Sequence, residues 1–209
     1  MTRRCFIFVF AVALLRSTAS ESAENQAPAP SFKDGEIWQF NITRKGCTVS
    51  STEFLEGTYE LRFTQGNVKL YNVSQGQKSE IAITPNGRIQ EVLSLIGKSE
   101  QQPDLKFPLS VGQKWTYEYQ DPGAGGRENI KRSVEVNVTG IEPVTTPAGS
   151  FKAYKLLRTE SWTSRGGSGG TTWTYFVSPE TSSVVKKLTE NNTTPCKNET
   201  ELIKFTPGS

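Results

Sequence analysis

Residues able to do acid–base or nucleophilic chemistry are scarce in this chain. Histidine is absent from all 209 residues. That removes Ser-His-Asp and Cys-His arrangements, imidazole metal ligands and any imidazole pH switch. What remains is a carboxylate pair, as in glycoside hydrolysis, where one carboxyl group protonates the leaving group and the other serves as base or nucleophile. Glu118, Glu135 and Glu160 fall in expected strands and are the candidates. Each lies opposite its strand's apolar set or among polar neighbours, so a solvated face is expected and no catalytic residue is assigned. Two cysteines without histidine do not make a zinc site, so no metal and no cofactor is expected. Gly123-Ala-Gly-Gly126 and Gly166-Gly-Ser-Gly-Gly170 lack the Lys-Ser/Thr ending and the following helix of a phosphate loop.

Aromatic rings are the other residues with a possible function. Trp115, Tyr117 and Tyr119 share one face of a strand, and Trp173 and Tyr175 share one face of another. Two readings stand side by side. The rings line a concave surface for lipid tails or sugar rings, or they are the core of a β layer.

The first residues fix where any such activity takes place. Arg3 and Arg4 precede an apolar run, Cys5 to Leu15, and Ser17-Thr18-Ala19 supplies the small residues of a cleavage site. This pattern reads as a secretory leader over residues 1–19, with a mature chain beginning near Ser20 in the periplasm or outside the cell. Cys5 sits inside the apolar run without the small residues that precede a lipid-modified cysteine. No other segment approaches the length needed to span a bilayer as a helix. Without the three arginines of the leader, basic and acidic residues balance at 21 each. No basic cluster stands out, so nucleic acid is not an expected partner. Cys47 and Cys196 remain as an even pair in an oxidising compartment, and one disulfide between them is expected. Six Asn-x-Ser/Thr triplets, beginning at Asn41, Asn72, Asn137, Asn191, Asn192 and Asn198, read as the by-product of Asn- and Thr-rich strands and turns.

The elements that must position these residues are strands. Residues 20–34, polar with alternating Ala-Pro, read as a flexible tether. From Gly35 the alternation is β: Glu36–Thr43, Thr58–Thr64, Val68–Val73 and Ser79–Thr84, the last three separated by Gln-Gly turns. Ile89–Ile96 fits both periods and is assigned as strand because its neighbours are strands. Gly97–Pro108 reads as a connector between halves. Lys114–Tyr119, Lys131–Val144, Phe151–Ser161, Thr171–Ser178, Ser183–Thr189 and Glu201–Phe205 complete about eleven strands. Gly123–Arg127 and Arg165–Gly170 are expected as mobile loop tips. The expected fold is a single all-β domain over residues 35–206, mainly antiparallel, as a strongly curved sheet, half-barrel or sandwich. Two halves, about 35–97 and 107–206, echo one another. Gly35-Glu-Ile-Trp-Gln-Phe40 matches Gly112-Gln-Lys-Trp-Thr-Tyr117, and Thr84-Pro-Asn-Gly87 matches Thr146-Pro-Ala-Gly149.

Taken in order, Gly35-Glu-Ile-Trp38, Phe107 to Trp115, Thr146 to Phe151, Thr174-Tyr-Phe-Val-Ser-Pro179 with Val184-Val-Lys186, and Glu201-Leu202 resemble a bacterial exported family, the 3108-type domain of unknown function and its relatives. Phe-Val-Ser-Pro stands here where that family carries Trp-Tyr-Ala-Pro. The resemblance implies an extracytoplasmic β domain and transfers no catalytic residue. The expected function is therefore non-catalytic: an exported domain binding a hydrophobic ligand or an envelope protein. The alternative is a carboxylate-dependent hydrolase acting on carbohydrate.

Overall fold

The computed structural model describes residues 26–45, 56–83, 87–99, 104–122, 129–191 and 197–209. The leader, the Gly123–Arg127 tip, Cys47 and Cys196 lie outside these residues. Strands β2 (Ile37–Lys45), β3 (Gly57–Thr64), β4 (Asn67–Ser74) and β5 (Gln77–Ile81) form a meander. So do β7 (Lys114–Pro122), β8 (Asn129–Thr146), β9 (Gly149–Ser164), β10 (Gly167–Ser178), β11 (Ser183–Asn191) and β12 (Lys197–Thr206). Pairing of β2 with β12 fuses the two meanders into one ten-stranded antiparallel sheet, ordered β5-β4-β3-β2-β12-β11-β10-β9-β8-β7. The two halves thus contribute to one sheet. The sheet is open, with β5 and β7 as its edges.

Local sequence explains the hairpins. Gln65-Gly66 and Gln75-Gly76 each make a two-residue turn with positive φ at both positions. That backbone matches strand twist and demands Gly at the second place. Between β8 and β9 the register slips at Val138/Gly140. A bulge of this kind bends a strand. The bent hairpin folds its tip back over the sheet, where Ala148 N–H donates to the Leu202 carbonyl of β12 at 3.3 Å. Between β9 and β12 lie two intervening strands, so this contact requires strong curvature.

β5 and β7 are opposite edges, so the chain between them must cross the whole sheet. Across nine interstrand steps that is about 43 Å if flat. The crossing buries one face. It begins with α1 (Gly87–Ser94), which corrects the expected strand at Ile89–Ile96. A strand lying across a sheet would find no ladder partner. A helix satisfies its own backbone and still presents an apolar stripe. Val92, Leu93, Leu95 and Ile96 are buried. The helix closes with Gly97 at positive φ, Gly97 N–H to Ser94 and Lys98 N–H to Leu93, a Schellman end. Leu95 also accepts from Val184 N–H at 2.7 Å, which ties the connector to β11.

Two further expectations are corrected. Gln26–Ala27 is a short strand, β1, paired with β6 (Leu109–Ser110), and Ala27 is buried. Phe32 meets the Trp38 ring edge-on at 5.5 Å. The expected tether is therefore docked from Gln26 onward, because Ala27 and Phe32 have apolar surface to hide. The Gly-rich stretch is also ordered. Only Arg165-Gly166 turns, and Gly167 onward is strand. A Cβ on Gly169 would lie 2.5 Å from the Trp162 ring, which covers it from the opposing strand. Glycine serves there as the floor beneath an indole.

Candidate functional site

Alternation along β7 to β10 gathers the candidate residues on the inner face. The register places Trp115 against Val136, Val136 against Arg158, and Arg158 against Trp173. The next row aligns Tyr117, Val134 and Glu160, and the row beyond aligns Tyr119, Arg132 and Trp162. Trp115, Tyr117, Tyr119, Trp173 and Tyr175 thus share one face. Tyr175 is fully buried, and the other four are half-buried against the core.

At the centre of this face stands a group of charges that the alternation alone does not announce. The Arg158 side chain is 2% exposed, Asp104 1% and Glu160 3%. Arg158 donates from Nε to Asp104 at 2.7 Å and from a terminal nitrogen to Glu160 at 2.8 Å. Its guanidinium also lies 4.0 Å from the Trp173 ring centre. Glu160 accepts further from Arg132 at 2.5 Å and from the Tyr119 hydroxyl at 2.8 Å. Asp104 accepts from Tyr175 at 3.0 Å and from Tyr117. Two guanidinium groups balance two carboxylates, as buried charge requires. A second pair, Lys187 with Glu91, ties β11 to α1.

The electrostatics follow from burial. Burial works against the Arg158 charge, but Asp104, the tyrosine oxygens and Glu160 hold the guanidinium well above its ordinary value. Burial raises the Tyr117, Tyr119 and Tyr175 hydroxyls, and the neighbouring carboxylates raise them further. They are fixed donors, not bases or nucleophiles.

Glu160 corrects the expected solvated placement: β9 carries Tyr154, Leu156, Arg158 and Glu160 all inward and buried. Arg158, Arg132 and Asp104 were not singled out in the sequence. The signal for Arg158 was its place in the Leu156, Arg158, Glu160 alternation. Asp104 had none, since it sits in the irregular connector. Glu118 and Glu135 do face outward and are exposed. With Thr116, Ser133, Thr159 and Ser161 they line a shallow groove of about 500 Å³. Lys131 and Ser133 hydrogen-bond Glu118 and hold its carboxyl below the ordinary range. A general acid needs the opposite shift. The three glutamates therefore divide between two faces: the Glu118 and Glu135 side chains share the outer groove, and the Glu160 side chain points inward. Among the described residues no group of three or more carboxylate or cysteine side chains could hold a metal ion.

No family model matches this chain, and no curated protein matches it. The likeness to the 3108-type domain therefore remains one of motifs. Three solved structures are similar in outline, each at 12% identity. A Bacteroides fragilis NCTC 9343 protein described as exported and of YmcC-like fold gives a TM-score of 0.39, over 87% of this chain and 99% of that one. A Parabacteroides distasonis ATCC 8503 protein described as a lipoprotein gives 0.40, over 86% and 97%. The hypothetical lipoprotein YmcC of Escherichia coli (K12) gives 0.37, over 93% and 100%. At those scores the likeness transfers neither activity nor location. Among the described residues no helix is long and apolar enough to cross a membrane.

Proposed function

We propose that this chain is a non-catalytic exported β domain of the bacterial envelope, and that it acts by binding a protein partner through its sheet. Export rests on the leader in residues 1–19. The observation that carries the rest is the occupied inner face. α1 and the connector bury Val92, Leu93, Leu95, Ile96 and Asp104 against it. The charges and hydroxyls at its centre are committed to one another. A filled face favours a protein partner over a lipid or sugar held against Trp115 and Trp173. It likewise speaks against a hydrolase, because Glu160 is engaged by Arg158, Arg132 and Tyr119 at once.

Native mass spectrometry of the mature protein, purified from its own host, tests this reading. The expected spectrum contains protein masses only. A stoichiometric small molecule would overturn the protein-binding reading in favour of ligand binding. Glycan hydrolysis lost in Glu118→Gln or Glu135→Gln would replace it with the hydrolase.

A further inference from the structure

We propose that the outer edge of β7, which has no ladder partner among the described residues, is a docking strand, and that its occupant is the β7 strand of a second copy, paired antiparallel about Thr116. The proposal rests on the protein-binding reading above and names its surface.

The internal duplication points to this edge. Gly35 N–H donates to Phe63 O, and Phe63 N–H donates to Glu36 O. Gly112 N–H donates to Val138 O, and Val138 N–H donates to Gln113 O, in the same pattern. Each corner is tightened from position three: Glu36 Oε2 accepts from Lys33 N–H at 3.0 Å, and Gln113 Oε1 accepts from Ser110 N–H at 3.2 Å. Both glycines have φ near +87° (86° and 87°). β2 and β7 are thus equivalent strands, each carrying an inward Trp and a second inward aromatic.

Their surroundings differ in one respect. β2 is flanked by β3 and β12, whereas β7 is flanked by β8 alone among the described residues. Trp38 and Phe40 are 0% exposed, while their counterparts Trp115 and Tyr117 are half-exposed. The same motif is fully covered where a second neighbour exists. The other edge of the sheet is built differently. β5 has five residues, is almost wholly exposed and carries Lys78 and Glu80, the short charged form that discourages pairing. β7 has nine residues and no bulge in its pairing with β8.

The register identifies the occupant. Val138 exchanges both of its backbone bonds with the Gly112-Gln113 corner, so by alternation Trp115, Tyr117 and Tyr119 bond toward β8. Lys114, Thr116, Glu118 and Gln120 then turn their backbone groups outward. Two copies paired about Thr116 bring these outward groups together and keep inner face beside inner face. Lys114 lies directly opposite Glu118 of the partner subunit, twice by symmetry. Trp115 lies opposite Tyr117 of the partner subunit, and Thr116 meets its own copy. All are favourable cross-strand pairs. Pairing about Glu118 instead would set two carboxylates face to face. A two-fold contact of this kind closes on itself and leaves only the short, charged β5 edges.

Sedimentation velocity of the mature protein across a concentration series tests the proposal. The wild type is expected to be a dimer in reversible equilibrium with monomer. Lys114→Glu and Glu118→Lys should each weaken it at least tenfold, and the combined Lys114→Glu/Glu118→Lys variant should restore it. Thr116→Pro removes a central outward N–H that β8 does not use, so the fold tolerates it and the dimer is lost. A wild type that is monomeric throughout overturns the proposal. So does a dimer indifferent to all four variants. Neither result touches the reading under test by native mass spectrometry, and a small molecule found there leaves the dimer measurement standing.

Discussion

Asp104→Ala tests what holds the connector across the sheet. Asp104 is buried and accepts from Arg158, Tyr175 and Tyr117, which belong to β9, β10 and β7. One carboxylate therefore clamps the connector to three strands. Truncation leaves the buried guanidinium with one carboxylate instead of two, and leaves Tyr117 and Tyr175 without their acceptor. Removing one member of a buried ion pair costs about 3–5 kcal/mol, because the remaining charge stays desolvated. A domain of this size shifts its melting temperature by about 2–4 °C per kcal/mol, so a fall of roughly 6–20 °C is expected. Calorimetry on the mature protein measures it. Asp104→Ala combined with Arg158→Met removes the stranded charge and should recover part of the loss, giving a coupling energy of about 1 kcal/mol or more. Glu80→Ala, at an exposed pair with Lys69, should leave the melting temperature unchanged. An Asp104→Ala protein melting within ~2 °C of wild type would refute the clamp.

Three other outcomes are expected. Gly169→Val drives a side chain into the Trp162 indole and should destabilise by about 1–3 kcal/mol, read by chemical denaturation; an unchanged midpoint would remove the indole from that position. Burial raises the Tyr117, Tyr119 and Tyr175 hydroxyls above the ordinary value of 10.0. The unfolded chain then releases protons first, so stability is full below pH 10 and falls as pH rises beyond it. Ultraviolet titration should show these three ionising only with unfolding, and smooth ionisation of all six tyrosines near pH 10 in a folded protein would contradict the buried network. The register pairs Lys45 with Lys197, and Cys47 lies two residues after the first and Cys196 one residue before the second. A disulfide between them would close a loop worth roughly 5 kcal/mol in the chain-entropy model, and two titratable thiols in the unfolded, unreduced protein would exclude it.

Much of the sheet was legible because its signals are local. Gln65-Gly66 and Gln75-Gly76 announce two-residue turns, and strict alternation from Lys114 to Tyr119 assigns each ring to a face. The misreadings share one cause. Ile89–Ile96 has apolar spacing that serves either element, and only the need to cross a sheet without ladder partners selects the helix. Gly166–Gly170 reads as freedom when no neighbour is known. Opposite Trp162, Gly169 is a place where a Cβ would meet the indole ring. Ala27 and Phe32 lie in a stretch whose composition suggests solvent, yet they dock because β6 and Trp38 are there to receive them.

The charged centre marks a deeper limit. Alternation put Glu160 on the face of Tyr154 and Leu156, but a glutamate on an apolar face is costly unless its partners are present. Those partners come from β7, β8 and β9, separated by up to 41 residues between Tyr119 and Glu160. No window of sequence holds them together. The two Gly-x-x-Trp corners state the same limit more sharply. Gly35 and Gly112 share a backbone conformation and a hydrogen-bond pattern, so local chemistry builds both identically. Trp38 is nonetheless sealed and Trp115 is not, because β12 returns to cover β2 and no described strand covers β7. Whether an aromatic row is core or contact surface is therefore a property of the neighbouring strand rather than of the row.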